Sequence, residues 1–488
     1  MNRPIRRVMT AALVLFALLF LNVNYIQVVR AEKLRENPRN NRLLLDEYGR
    51  PRGDIIAGRS TLVESKKTKD RLQYLRVYAG GREGIAAAFA PVTGSYSLVF
   101  GASGIERAYD DTLSGSDDRF FVRRVSDLLT GQEPQGGSVL LTIDPDLQLL
   151  AAQQLGNRRG AVVALDPRTG AVLALVSSPS YDPNDLSSHD PAKIRDAYRK
   201  YSEDKDRPLV DRAAEEVYPP GSTFKVLTAA AALESGYTPD TLVDCSSSIT
   251  LPLTRDVKLR NFSGESCASK VTLTQALQHS YNTAFAGVGM KVGGAKLQDV
   301  AERFGFNARP DFALRSVASA FPEGINAPQT AQSAIGQYDV RATPLQMAQV
   351  AAAVANGGKL MRPYVVSQLL RPDLSVLDKT SPQVQGRPIS AATAAALTQM
   401  MIAVVQGGTG TRAQIPGVTV AGKTGTAQNA GPAHAWFIGF APAENPTIAI
   451  AVLVENGGGG GDNATGGRVA APIAQAVMAA RLRAGGNG

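Results

Sequence analysis

Two cysteines and three histidines in 488 residues leave little from which to build a metal centre. His189, His279 and His434 are scattered, Cys245 and Cys267 stand in no metal-ligand spacing, and no Cys-x-x-Cys or His-x-x-x-His pattern occurs. No metal or cofactor is therefore expected. A long Lys/Arg run, a zinc-finger spacing and other nucleic-acid-binding signatures are also missing. The formal charge of +9 then suits anionic lipid head groups or wall polymers better than nucleic acid. Charged residues make up 19% and hydrophobic ones 44%, a folded composition in a chain too long for one ordinary domain.

What is present begins with a single long apolar run. Arg3, Arg6 and Arg7 precede an apolar stretch over 8–21 that continues, with Asn22, Asn24 and Gln27 interspersed, to Val29. That is about the length of a bilayer-spanning helix. Bulky residues follow it in place of a small-x-small cleavage site, so it reads as a retained signal anchor. Residues 1–7 then form a cytoplasmic tail and 8–29 the transmembrane segment. Everything after Arg30 lies outside a plasma membrane crossed once, where oxidising conditions make Cys245 and Cys267 candidates for a disulfide.

Residues 30–157 mix basic stretches, turn signals and short apolar segments, the pattern of an irregular, β-rich stalk. Toward its end 138–144 reads as a strand and 145–155 as a helix. At 158 a second domain begins and runs to 484. It opens on a hairpin, 160–166 and 171–177 about a Pro-Arg-Thr-Gly170 turn. Ala-rich helical segments follow at 224–234, 273–277 and 344–355. Strand-like runs return at 418–427, 434–440 and 447–455, before a terminal helix over 468–483. Strands at both ends with helices between predict one sheet completed by the beginning and end of the domain.

Three short patterns carry chemistry. In Tyr218-Pro-Pro-Gly-Ser-Thr-Phe-Lys225 the prolines and Gly221 stop any preceding structure and an Ala/Leu-rich helix follows, which places Ser222 at a helix start. Backbone N–H groups there suit an oxyanion, and Lys225, one turn on, reaches the face of the hydroxyl. A lysine partly stripped of water is neutral often enough to take the serine proton. In His279-Ser-Tyr-Asn282, Ser280 is placed to relay a proton and Asn282 to hydrogen-bond a substrate amide. In Lys423-Thr424-Gly425-Thr426, a strand with glycine lets a substrate backbone lie close, with the ammonium and hydroxyls available to a carboxylate. Taken singly, these describe equally well a helix cap, a turn and an edge strand with a protective lysine. Gly417 and Gly422-Lys423-Thr424 also satisfy a phosphate-loop spacing. The intervening Val418-Thr-Val-Ala421 is strand-like, however, and Gly425 interrupts the helix such a loop needs.

In that order, Ser222-x-x-Lys225, Ser280-x-Asn282 and Lys423-Thr424-Gly425 resemble the signature of the penicillin-binding proteins and serine β-lactamases. Gly336-Gln337, Thr343-Pro-Leu-Gln-Met-Ala348 and Trp436-Phe-Ile-Gly-Phe-Ala-Pro442 look like transpeptidase-domain sequence. Gly104-Ile-Glu-Arg-Ala-Tyr109 and Leu113-x-Gly115 look like the N-terminal domain of the monofunctional, class B type. The resemblance implies an α+β fold, a serine β-lactamase/transpeptidase-like domain whose antiparallel sheet is flanked by helices. It implies Ser222 as nucleophile, Lys225 as base and Ser280 as relay, with Asn282, Lys423, Thr424, Gly425 and Thr426 holding the substrate. Stem peptides and lipid-linked glycan strands are the implied substrates, β-lactams the implied inhibitors, and a polytopic glycosyltransferase the implied partner. A D,D-carboxypeptidase or a membrane-bound β-lactam sensor would use the same fold. The Glu-x-x-Leu-Asn segment of class A β-lactamases is absent. Some 130 exported residues before the hairpin leave no room for a glycosyltransferase domain.

Overall fold

Strands that are apolar at nearly every position, instead of at alternate ones, are covered on both faces. Four such strands and the more polar edge strand Ala421–Ala427 form a wholly antiparallel sheet in the order Ala421–Ala427, His434–Ala441, Ile448–Val454, Gly160–Leu165 and Val172–Ser178. The first hairpin thus closes a sheet whose other three strands come from the end of the chain. This computed structural model describes residues 3–30, 47–82, 84–120, 130–131, 135–262, 265–428, 431–459 and 464–485.

Alternation along each strand divides the sheet between two cores. Val163, Ile438 and Ala451 face one that contains the Lys225–Leu233 and Pro344–Ala355 helices. Val162, Phe437 and Val452 face the other, with the Pro145–Leu155 and Gly466–Gly485 helices. The helix expected at 344–355 is found at those bounds, because Thr343 caps it and Pro344 occupies its first turn. The strand expected from 418 starts at Ala421, since Val418 N–H turns back to Ile415 O at 3.0 Å.

The stalk is more regular than its sequence suggests. Ile55–Ala57, Ser60–Lys67 and Tyr74–Tyr78 form one side of a six-stranded sheet in which Ser138–Leu141 runs parallel to Ile55–Ala57. Two strands from far along the chain, Val366–Leu370 and Val376–Lys379, complete it. Residues 31–46 of the expected stalk lie outside the described residues. In the Gly104–Ala108 helix, Glu106 is fully buried between Arg76 Nε at 2.6 Å and Arg52 Nε at 3.2 Å. Burial pushes its carboxyl up, but the two guanidiniums outweigh burial and hold it below its ordinary value.

At the N-terminus the Arg3–Asn24 helix continues through Tyr25–Val29, and its described residues are exposed. The apolar span of 26 residues, Arg3–Val28, measures about 39 Å at a helical rise, long enough and apolar enough to cross a membrane.

Candidate active site

Ser222 lies in a 3-10 turn, Gly221–Phe224, that runs directly into the Lys225–Leu233 helix. In a 3-10 turn residues three apart eclipse, which stacks Lys225 beneath Ser222. Neither Pro220 nor Phe224 caps these segments through a side chain, and Ser222 is half-buried. Gly221 has φ +53°, and a Cβ there would meet Thr426 O and Ala427 Cβ at 3.0 Å, so the turn seats tightly against the Lys423 strand. Gly425 serves the same contact from the other side: a Cβ on it would meet Thr223 Cγ2 and Trp436 Cβ at 2.9 Å.

The three sequence patterns converge on one hydroxyl. Lys225 Nζ donates to Ser280 O at 2.6 Å, to Asn282 Oδ1 at 2.7 Å and to Ser280 Oγ at 3.2 Å. Lys423 Nζ, from a strand 143 residues further on, donates to the same Ser280 Oγ at 2.9 Å and to Thr424 O at 2.9 Å. Ser280 occupies the left-handed region at φ +61° between the Leu273–Gln278 and Asn282–Val292 helices. A non-glycine residue there costs roughly 1–2 kcal/mol, and that geometry turns both its carbonyl and its hydroxyl toward the lysines.

Both lysines are fully buried, and among the described residues neither forms an ion pair with a carboxylate. Burial pushes Lys225 well below the ordinary 10.5, Lys423 adds like-charge repulsion, and Glu265 pulls the other way. Burial alone brings Lys423 from 10.5 to about 7. A lysine that loses its proton in the folded state but keeps it when unfolded destabilises the fold. The cost is full below the folded pKa and fades as pH rises toward the unfolded one. Lys423→Met is therefore expected to raise Tm by several degrees at pH 6, with the gain shrinking between about pH 7 and 10.5. Thermal melts across that range check it; a variant that melts lower than wild type at pH 6 contradicts it.

The remaining expected residues divide. Asn282 is held at both ends, its Oδ1 by Lys225 and its Nδ2 donating to Arg260 O at 2.9 Å. Thr424 Oγ1 pairs with Thr409 Oγ1 at 2.6 Å, away from the Ser280 centre, and Thr426 Oγ1 accepts from Gly466 N–H at 3.4 Å. Cys245 and Cys267 are joined, S–S 2.07 Å, and close the loop that carries Arg260 and Asn261. Asn261 Oδ1 in turn accepts from Thr283 N–H at 3.1 Å, at the start of the Asn282–Val292 helix. Neither Arg260 nor Asn261 has a sequence signal, because their role depends on a loop folding back. Trp436 was legible only as family-like flank; its Nε1 donates to Pro219 O at 3.0 Å, three residues before Ser222. The phosphate-loop reading of Gly417 to Thr424 fails, since Lys423 sits in mid-strand and not at a helix N-terminus.

Two protein families match the chain. The penicillin binding protein transpeptidase domain matches residues 160–479, and the penicillin binding protein A dimerisation domain matches 52–139. The chain is 46% identical to the peptidoglycan D,D-transpeptidase PbpA of Mycolicibacterium smegmatis over 99% of its own length and 100% of the relative's. To the protein of the same name from Mycobacterium tuberculosis it is 44% identical, over 99% of each chain. Its structure is similar to that of M. tuberculosis penicillin-binding protein A in a ceftriaxone acyl-enzyme complex, with a TM-score of 0.86 and 43% identity. That match covers 90% of this chain and all of the other. A penicillin G acyl-enzyme complex of the same protein matches with a TM-score of 0.83.

Proposed function

This chain belongs to the class B penicillin-binding proteins, and from that premise we propose that it is a peptidoglycan D,D-transpeptidase acting through an acyl-enzyme on Ser222. The observation that carries the assignment of roles is the meeting of Lys225 and Lys423 on Ser280 Oγ beside the Ser222 turn. In the neutral state that burial favours, Lys225 takes the Ser222 proton as Oγ attacks the carbonyl of the penultimate D-alanine in a stem peptide. Backbone N–H groups of Ser222 and Thr426 stabilise the oxyanion. As the tetrahedral intermediate collapses, the C–N bond breaks. The proton returns from Lys225 through Ser280 to the leaving amine, and D-alanine departs. An amine from a neighbouring strand then attacks the ester carbonyl and passes its proton through Ser280 to Lys225; the ester C–O bond breaks as the new amide forms, and Lys225 returns the proton to Ser222 Oγ. Lys423, Thr424, Gly425 and Thr426 hold the substrate along the strand, with Asn282 at a stem-peptide amide. β-Lactams are expected to acylate the same serine; M. tuberculosis penicillin-binding protein A forms acyl-enzyme complexes with ceftriaxone and penicillin G.

The Arg3–Val28 helix supports a single-pass anchor, with Arg3, Arg6 and Arg7 on the cytoplasmic side and the catalytic domain outside. A polytopic glycosyltransferase partner, contacted through the anchor and N-terminal domain, would supply the glycan strands. Incubating the full-length protein with lipid-linked precursor and a partner polymerase tests the reading. Cross-linked dimers with stoichiometric release of D-alanine are expected. Release of D-alanine without dimers would make the protein a carboxypeptidase.

A further inference from the structure

Behind the nucleophile turn lies a buried ionic cluster that none of the steps above uses. Glu455 follows the Ile448–Val454 strand and is 6% exposed. Its Oε1 accepts from Arg212 Nε at 2.8 Å and from the Tyr218 hydroxyl at 2.9 Å, and its Oε2 accepts from Arg159 Nε at 2.9 Å. Arg212 is fully buried, and its remaining donors go to the backbone carbonyls of Arg207, at 3.2 Å, and Asp206. Burial pushes the Glu455 carboxyl up, but Tyr218 and the two arginines outweigh it and hold it ionised.

Tyr218 joins this cluster to the reaction centre. It stands four residues before Ser222, and its backbone N–H and C=O pair with Ala342 at 2.9 and 2.8 Å. Its ring meets His434 and Trp436 edge-on, with centroids 5.5 and 6.4 Å away. His434 and Trp436 lie opposite Ala427 and Gly425 in the strand register. Between Tyr218 and Ser222 the chain is pinned at Pro219 O by Trp436 and at Gly221 N–H by Gly336 O, 2.9 Å. Glu455 thus reaches the chain entering the nucleophile turn and the strand behind the substrate; Glu216 Oε2, 3.0 Å from the same Tyr218 hydroxyl, is the other acceptor open to its single proton.

Buried ion clusters seldom add stability over apolar packing of the same volume, because desolvation offsets their attraction. Position is what this one supplies. Resting on the reading of Ser222 as nucleophile, we infer that Glu455 is a positioning residue for acylation: through Tyr218 it sets where Ser222 stands against the Lys423 strand.

Rapid-mixing kinetics with a fluorescent penicillin separate the non-covalent Kd from the acylation rate constant per labelled site. Tyr218→Phe removes only the hydroxyl and keeps the ring packing. It is expected to lower the acylation rate constant on the order of tenfold, with Kd and final labelling stoichiometry unchanged. Glu455→Gln should act in the same direction. If leaving Arg212 unpaired prevents that variant from folding, Tyr218→Phe is read beside Glu216→Gln, which alters the hydroxyl's other carboxylate partner and should leave the rate constant at the wild-type value. A purely structural cluster would lower Tm or the labelled fraction and leave the rate constant at the wild-type value, and that result in Tyr218→Phe overturns the inference. Wild-type protein that takes no label would sink the proposed function instead.

Discussion

Ser222→Ala is expected to abolish covalent labelling by a labelled penicillin and to leave the fold intact. In the proposed reaction the Ser222 hydroxyl oxygen forms the ester, and no other side chain in the cluster is placed to replace it: Ser280 Oγ is engaged by both lysines, and Thr424 Oγ1 is turned to Thr409. Stability should change little. A serine acting as a helix cap would cost about 1 kcal/mol on removal, but the caps of this turn and its helix involve no side chain. Gel fluorescence after labelling, with Tm on the same samples, checks both halves. Label retained at wild-type intensity would move the nucleophile elsewhere and end the assignment.

Lys225→Met should lower the acylation rate by about 10²–10⁴, the range general-base catalysis usually contributes, while non-covalent binding persists. Methionine preserves most of the stem volume in a fully buried site, so the loss reports the amine and not a cavity. The pH dependence separates this from a general disturbance. Acylation by wild type should rise with pH as Lys225 loses its proton, and burial with the Lys423 charge moves that rise well below 10.5. In Lys225→Met this ascending limb should be missing. A variant that acylates as fast as wild type, or that keeps the limb, removes Lys225 from the role of base.

The two lysines show how the proposed catalytic site is maintained against the interests of the fold. Each is buried with no carboxylate partner among the described residues, and Ser280 holds a left-handed backbone to receive them. The surrounding scaffold outweighs these local penalties: a sheet covered on both faces, the Thr343-capped helix against it, and the close seating of Gly221 and Gly425. Stabilising the site by replacing a lysine and disabling it are expected to be the same substitution.

Local order was largely readable in the chain itself. The hairpin at 160–177, the helix Pro344–Ala355 and the run of strands near the C-terminus all follow from short-range rules of periodicity, capping and turn residues. Ser222, Lys225, Ser280, Asn282 and Lys423 were legible because an ordered set of short patterns is far rarer than any one of them. Only the tertiary structure decided what depends on distant segments meeting. The stalk sheet borrows Val366–Leu370 and Val376–Lys379, and no local pattern announces a strand pairing more than two hundred residues away. Arg260 reaches Asn282 because the Cys245 to Cys267 loop folds back, and Glu455 reaches Tyr218 across 237 residues. Sequence periodicity reports which face a residue presents, whereas hydrogen-bond partners and buried charge are set by which faces finally touch.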